Sequence, residues 1–154
     1  MDLNPRQLIR LAVTTATDNA RQGQRPYAAL VVADGTVLGD GVNTVLQDND
    51  PTAHAEVTAI RAACARTGRR DLTGAVLIAS CRPCPMCQAV ARLVGIGTIY
   101  HAGQCRTPPP QLPDLELILV PDDDLNRPFV EFEHLGMPDL DRPAAKPLCS
   151  PAEA

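Results

Sequence analysis

The sequence predicts an α/β domain, a three-layer α/β/α sandwich around a mixed β-sheet, and three features of it carry that reading. Two extended runs meet at Asp34-Gly35, a tight-turn dipeptide, and so form an antiparallel hairpin. Beyond that hairpin, helical and extended patterns alternate, as they do where parallel strands are joined by helical crossovers. Ahead of both stands an amphipathic helical pattern able to cover one face of the sheet. A chain of 154 residues fits one such domain and can bury roughly two-thirds of its unfolded surface.

The elements follow in order. Asn4-Pro5 opens a helix, with Asn as N-cap and Pro at the first helical position. Leu8, Leu11, Ala12, Thr15 and Ala16 recur at helical spacing, and Gly23 is the expected stop. Tyr27 to Ala33 and Thr36 to Leu46 are the two hairpin runs. A polar loop, Gln47 to Pro51, leads to Thr52 as N-cap of a helix from about Ala53 to Arg66, with Val57, Ile60 and Cys64 on its apolar face. Ala75 to Ala79 reads as a central strand. Pro85 to Val94 is a short helix patterned by Met86, Val90 and Leu93, and Gly95 to Tyr100 is the next strand. After a stiff Thr107-Pro108-Pro109-Pro110 connector, Leu115 to Val120 is the last clear strand. Residues 1–137 are expected to form the domain, and Pro-rich residues 138–154 an irregular tail.

Composition narrows the function classes. The chain is 45% hydrophobic, an ordinary globular value, and its net charge is −4. An acidic average supplies no general field for nucleic acid, so RNA or DNA is not expected as partner. No apolar run has membrane-spanning length, and nothing resembles a signal peptide. The reading is therefore cytoplasmic, where six clustered or scattered Cys are better metal ligands than disulfides.

The residues that carry chemistry are Ser80-Cys81-Arg82-Pro83-Cys84-Pro85-Met86-Cys87 and, upstream, His54-Ala55-Glu56. Two thiolates and an imidazole suit Zn²⁺, and three protein ligands leave a fourth tetrahedral position open. His54 and Glu56 fall in the first turn of one helix, Cys84 and Cys87 at the start of another. Helix N-termini stabilise both carboxylate and thiolate. On spacing alone Cys81/Cys84 and Cys84/Cys87 are both Cys-x-x-Cys. The second pair straddles one helical turn and is preferred, with Cys81 as a small buried side chain. The competing reading is a structural, non-catalytic zinc module in which Cys81, Cys105 or His101 closes the site. Glu56 has no duty in such a module. Asn43, ending the second hairpin strand, reads either as an ordinary turn residue or as one that bonds a substrate amide edge, and Tyr27 as a buried core side chain or, less readily, the floor of a pocket. His101 and Cys105 read as loop residues, and Asp122 to Asp124 as a solvated break.

With these residues placed, the chain resembles the cytidine deaminase superfamily, whose zinc deaminases carry the His-x-Glu and Pro-Cys-x-x-Cys signature. It is most similar to the guanine deaminase branch. Pro26-Tyr27-Ala28-Ala29, Asn43, the run Asn49 to Arg61 and Ser80 to Cys87 carry the resemblance. It implies a cytidine deaminase-like fold and a zinc hydrolase that replaces a ring amine with a carbonyl and releases ammonia. His54, Cys84 and Cys87 match the zinc ligands and Glu56 the proton shuttle. Asn43 matches a substrate contact, and the Ala55 backbone approaches the base. A homodimer and a small, nucleobase-like substrate are also implied, guanine first. Alternatives are adenosine in tRNA and cytosine or a nucleoside. Arg82 stands where many relatives have Glu, and Ala28 where Gly is usual.

Overall fold

The computed structural model describes residues 4–103 and 111–120. The expected tail, Cys105, Cys149, Val130, Phe132 and the Asp122 to Asp124 break lie outside the described residues. Helix α1 (Pro5–Arg21) starts as the sequence indicates. The Asn4 side chain accepts from Arg6 N and, with Gln7, completes a capping box. The hairpin pairs β1 (Ala28–Ala33) with β2 (Thr36–Val42), and Asp34 and Gly35 both take positive φ, 49° and 69°.

A short helical turn, α2 (Val45–Asp48), takes the last two residues of the expected second strand and the first two of the expected polar loop. Helix α3 (Ala55–Thr67) then begins two residues later than expected, with His54 rather than Thr52 at its N-cap. Thr52 is committed elsewhere. Its backbone N–H and hydroxyl both donate to Asp50 Oδ1, at 2.8 and 2.7 Å, so it closes the preceding turn. The helix ends where Gly68 adopts φ 67°. Strand β3 (Val76–Ala79), helix α4 (Pro85–Leu93), β4 (Thr98–His101) and β5 (Glu116–Leu119) complete the chain.

The sheet runs β2-β1-β3-β4-β5. Its β1 pairs are antiparallel and its β3–β4 and β4–β5 pairs parallel, so the sheet is mixed, as expected. Alternation along the strands divides the core. Leu30, Val32 and Ile78 face α1 with Leu8, Ile9, Ala12 and Val13. Ala29, Val31, Leu77 and Ile99 face the other way, packing with Ala55, Ala59, Ile60 and Ala63 of α3 and Ala91 of α4. This is the three-layer sandwich.

Two helix stripes differ from the sequence reading. On α1 the buried set includes Ile9 and Val13, while Leu11 is 49% exposed, because the sheet faces the helix one position round from the expected stripe. On α4 Leu93 is 84% exposed, and Cys87, Gln88 and Ala91 form the buried side. The helix turns its sulfur-bearing face, not its largest apolar residue, toward α3.

Among the described residues, α3 and β2 pack main chain against main chain. A Cβ built on Gly41 would lie 2.4 Å from Ala59 N and 2.7 Å from Ala55 O; one on Gly39 would lie 2.5 Å from Ala59 O. The atoms it would meet are backbone and cannot rotate away. Gly97 differs, since no atom among the described residues lies within 4 Å of its added Cβ. Gly41→Ala should therefore cost about 2–3 kcal/mol in denaturant unfolding, the upper part of the overpacking range. Gly97→Ala should be neutral or stabilise by up to about 1 kcal/mol through the unfolded chain. Equal effects at the two positions would contradict the packing argument.

Candidate active site

The sheet gathers its chemistry at one edge. Parallel β3 and β4 both end there, at Ala79 and His101, which are register partners. Antiparallel β1 begins there, since Ala29 pairs with Ala79, and β2 ends there, since Ala28 pairs with Val42. Tyr27, Asn43 and the Ser80–Cys87 segment are therefore neighbours by topology. The segment from 43 to 54 stays at this edge, tied by a Thr44 N to Ala53 O hydrogen bond of 3.0 Å, and delivers the N-terminus of α3.

His54, Cys84 and Cys87 meet as a compact triangle, the one group of three or more metal-ligating side chains found among the described residues. Cys84 Sγ and Cys87 Sγ lie 3.6 Å apart, and His54 Nδ1 is 3.6 and 3.5 Å from them. For zinc bonds of about 2.3 Å to sulfur and 2.0–2.1 Å to nitrogen, the edges of a tetrahedron come to about 3.5–3.8 Å. The spacing and the donor set both fit zinc, so the three side chains suit the metal without rearrangement. Cys81, Glu56 and His101 do not join the triangle, so among the described residues no fourth protein ligand closes it.

The electrostatics of the cluster suit a divalent cation. Cys84 is held down to about 4, first by its hydrogen bond with Cys87 and further by that with His54. The same pairing, with burial and the nearby Glu56, pushes the Cys87 thiol up. The pair thus gives up its first proton readily and keeps its second, and a divalent ion would take that proton's place. His54 is raised, chiefly by its hydrogen bond to Cys84. Cys84 caps α4 and Cys87 lies in its first turn, where unpaired amides stabilise thiolate.

Glu56 is the fourth member of the site. It sits in the first turn of α3, 9% exposed, with Oε2 3.4 Å from Cys87 Sγ. Burial raises its carboxyl above the ordinary carboxylate range. A carboxyl kept out of water but beside the ligands is suited to hold and return protons.

The other expected residues are placed as follows. Cys81 is 4% exposed at the end of β3, and burial pushes its thiol up, as suits a packing residue. Asn43 is 2% exposed, and its Oδ1 accepts from Val45 N at 3.2 Å. Tyr27 is half-buried against the α3-side core, and Ala55 is the first, buried residue of α3. His101 is not a loop residue. It ends β4, 3% exposed, and its Nδ1–H donates to Ala102 O at 3.1 Å. Burial is the main cause that lowers its pKa.

Two residues support the site in ways the sequence reading did not assign: Gln88 was not picked out, and Ser80 was named within the cysteine run but given no role. Gln88 is fully buried; its Nε2 donates to Pro83 O and its Oε1 accepts from Leu112 N, each at 3.0 Å. Ser80 Oγ accepts from Ala28 N at 3.0 Å, fastening the start of β1 to the cysteine segment. A Gln on the buried face next to Cys87 was the available signal.

The family described as the cytidine and deoxycytidylate deaminase zinc-binding region matches residues 4–102. The chain is 43% identical over 101 residues to the guanine deaminase of Bacillus subtilis strain 168, covering 65% of this chain and 60% of that protein. It is 35% identical over 96 residues to the tRNA-specific adenosine deaminase of Agrobacterium fabrum, covering 62% and 63%. The chain thus spans less than two-thirds of the length of these relatives. The X-ray structure of a guanine deaminase from Bacillus subtilis aligns with a TM-score of 0.63 at 29% identity, over 86% of this chain and 95% of that one.

Purified protein should carry about one zinc per chain by elemental analysis. Cys84→Ala and Cys87→Ala should each lose most of it, and Cys81→Ala should keep it. Zinc retained in Cys87→Ala but lost in Cys81→Ala would mean that the other cysteine pair binds.

Proposed function

The chain belongs to the cytidine and deoxycytidylate deaminase zinc-binding family, and from that premise we propose that it hydrolyses the exocyclic amine of a free nucleobase or related amino-heterocycle, guanine first. The observation that carries this is Glu56, buried and in contact with one ligand of a three-ligand cluster that no fourth described residue closes. A structural zinc module would have no use for either feature.

When bound, zinc would supply a nucleophilic water oxygen at neutral pH. The protein's own part follows from its geometry. His54, Cys84 and Cys87 fix the metal on two helix starts. Glu56 would take one proton from water as its oxygen adds to the amine-bearing ring carbon and pass it to a ring nitrogen, then take a second from the new ring hydroxyl and deliver it to the departing amine. Water is consumed, the ring gains a carbonyl, and ammonia leaves. Burial keeps the carboxyl's proton affinity high enough for both directions of transfer. Asn43, Tyr27 and the backbone at Ala55 are the proposed substrate contacts at the same sheet edge.

Three facts favour a free base over a base in tRNA. Net charge is −4 and the pI about 5.2, the reverse of a phosphate-binding surface. Identity is higher to the guanine deaminase than to the tRNA-specific enzyme. The run Asn49 to Arg61 resembles the guanine deaminase form. Arg82 precedes α4 where the resemblance implies Glu, and a cationic side chain facing the pocket there would favour a ring with a carboxylate, phosphate or acidic carbonyl edge, whereas one facing away would leave selectivity unchanged. The protein is further proposed to act as a cytoplasmic homodimer.

Ammonia release over a panel of purines, pyrimidines and triazines, with a tRNA transcript as a separate arm, tests the proposal. Turnover of a free ring is expected; turnover of the tRNA alone would transfer the reading to that class. Glu56→Gln should keep zinc and fold while losing a factor of roughly 10²–10⁴ or more in kcat. Activity near wild type in that variant would exclude the mechanism. Arg82→Glu should change the ratio of kcat/KM for guanine to that for other rings by about tenfold, on the order of 1.4 kcal/mol. An unchanged ratio would remove position 82 from specificity.

A further inference from the structure

Asn19 lies on the last turn of α1, on the far side of the sheet from the metal-ligand cluster. It is 5% exposed and, with Thr17, one of two polar side chains on the buried stripe of the helix. Its Nδ2 donates to Arg25 O at 2.7 Å and to Asn43 O at 3.0 Å. Both partners are carbonyl oxygens, so the atom facing them must be the nitrogen, and its two hydrogens are both used. The same two segments are joined a second time by backbone. Tyr27 N donates to Arg25 O at 2.8 Å, and Asn43 N donates to Tyr27 O at 3.0 Å. Asn19, Arg25, Tyr27 and Asn43 thus close a ring of four hydrogen bonds. One further bond, from Thr44 N to Ala53 O, carries the connection to the residue before His54.

We propose that Asn19 is a positioning residue for substrate binding: it clips the end of α1 to the two backbone segments that present Tyr27 and Asn43, and so fixes their separation. The inference rests on the reading of Tyr27 and Asn43 as substrate contacts. It follows from what the clip resists. The Arg25–Tyr27 segment precedes β1, and Asn43 follows β2, so each hangs from one strand end. A single backbone bond between them is a hinge. The Asn19 amide bridges the two segments from α1, and with two bonds from one planar group the hinge cannot rotate. Removing the amide leaves the carbonyl of Asn43, a residue only 2% exposed, short of a partner, while Arg25 O keeps only the Tyr27 N–H, and structure will shift locally to compensate. A shift of about 1 Å in a substrate contact is enough to cost on the order of 10²-fold in rate. The ligand triangle stands on other elements, α3 and α4, and does not share the clip.

Asn19→Ala, Asn43→Ala and the double variant test this, with Asn19→Ser, which keeps one donor, in place of Asn19→Ala should that variant not fold. Asn19→Ala should keep one zinc per chain and lose at least tenfold in kcat/KM on the ring that wild type prefers, while adding no further loss in the Asn43→Ala background. Amide hydrogen exchange at Asn43 and Thr44 should quicken at least tenfold, with Leu77 and Ile78 of β3 unchanged. Unchanged exchange at Asn43 and Thr44, equal quickening in β3, or losses that multiply in the double variant would each overturn the proposal. Wild-type protein that releases ammonia from no substrate would defeat the deaminase reading instead, and the exchange pattern alone would then decide the clip.

Discussion

The molecule depends first on the approach of α3 to β2. Gly39 and Gly41 present bare backbone, and Ala55, Ala59 and Ala63 lie one above another on the facing helix. With so little side-chain volume between them, helix and strand touch over their main chains. Such a contact has no rotamers through which to adjust, so it fixes the depth and angle of α3 more tightly than a layer of leucines would. His54 and Glu56 begin that helix, and their distance from the cysteines is set by this contact. The arrangement gives up apolar area, since small residues bury little, and the large aliphatic residues elsewhere in the core supply the compensating burial.

Around the site, burial and satisfaction of polar groups work together. A carboxyl, an imidazole and two thiols share one largely dry corner, an arrangement that is costly for any group left charged without a partner. Two helix N-termini lower that cost for the thiolates, and a divalent cation would lower it further. The surrounding polar side chains bond to backbone. Ser80 holds β1 to the end of β3, Gln88 ties the cysteine segment to the chain entering β5, and Asn19 joins α1 to the segments before β1 and after β2. Each spans two segments that are distant in sequence, and each lies buried, where an orphaned partner would be expensive. Four reactive groups are thus accompanied by three buried side chains that hold backbone segments in place.

Much of this was written locally. The Asn4-Pro5 start, the Asp34-Gly35 turn and the Gly68 stop are decided by the backbone preferences of the residues themselves, and a single sequence displays them. The metal triangle was legible for a similar reason: ligand chemistry is carried by residue type, and Cys84-x-x-Cys87 across one helical turn leaves little choice of geometry. The start of α3 was not legible, because Thr52 can cap a helix or close a turn, and only the position of Asp50 relative to it chose the turn. Leu11 and Leu93 show the same limit on a helix surface. Periodicity names a stripe, but the neighbour against which the helix lies selects which side of the stripe is buried.

By itself, then, the sequence determined the layered fold, the donor types of the metal cluster and a Glu two residues after its His, since each depends on local conformation or intrinsic chemistry. The tertiary structure decided which cysteine was left out, that no fourth described residue closes the triangle, and which buried amides hold the site's segments in register. Those outcomes depend on distances between residues such as Asn19 and Asn43, or Gln88 and Leu112, that lie 24 positions apart. Distances of that kind exist only once the sheet has brought β1, β2 and β3 to a common edge, and no local propensity encodes them.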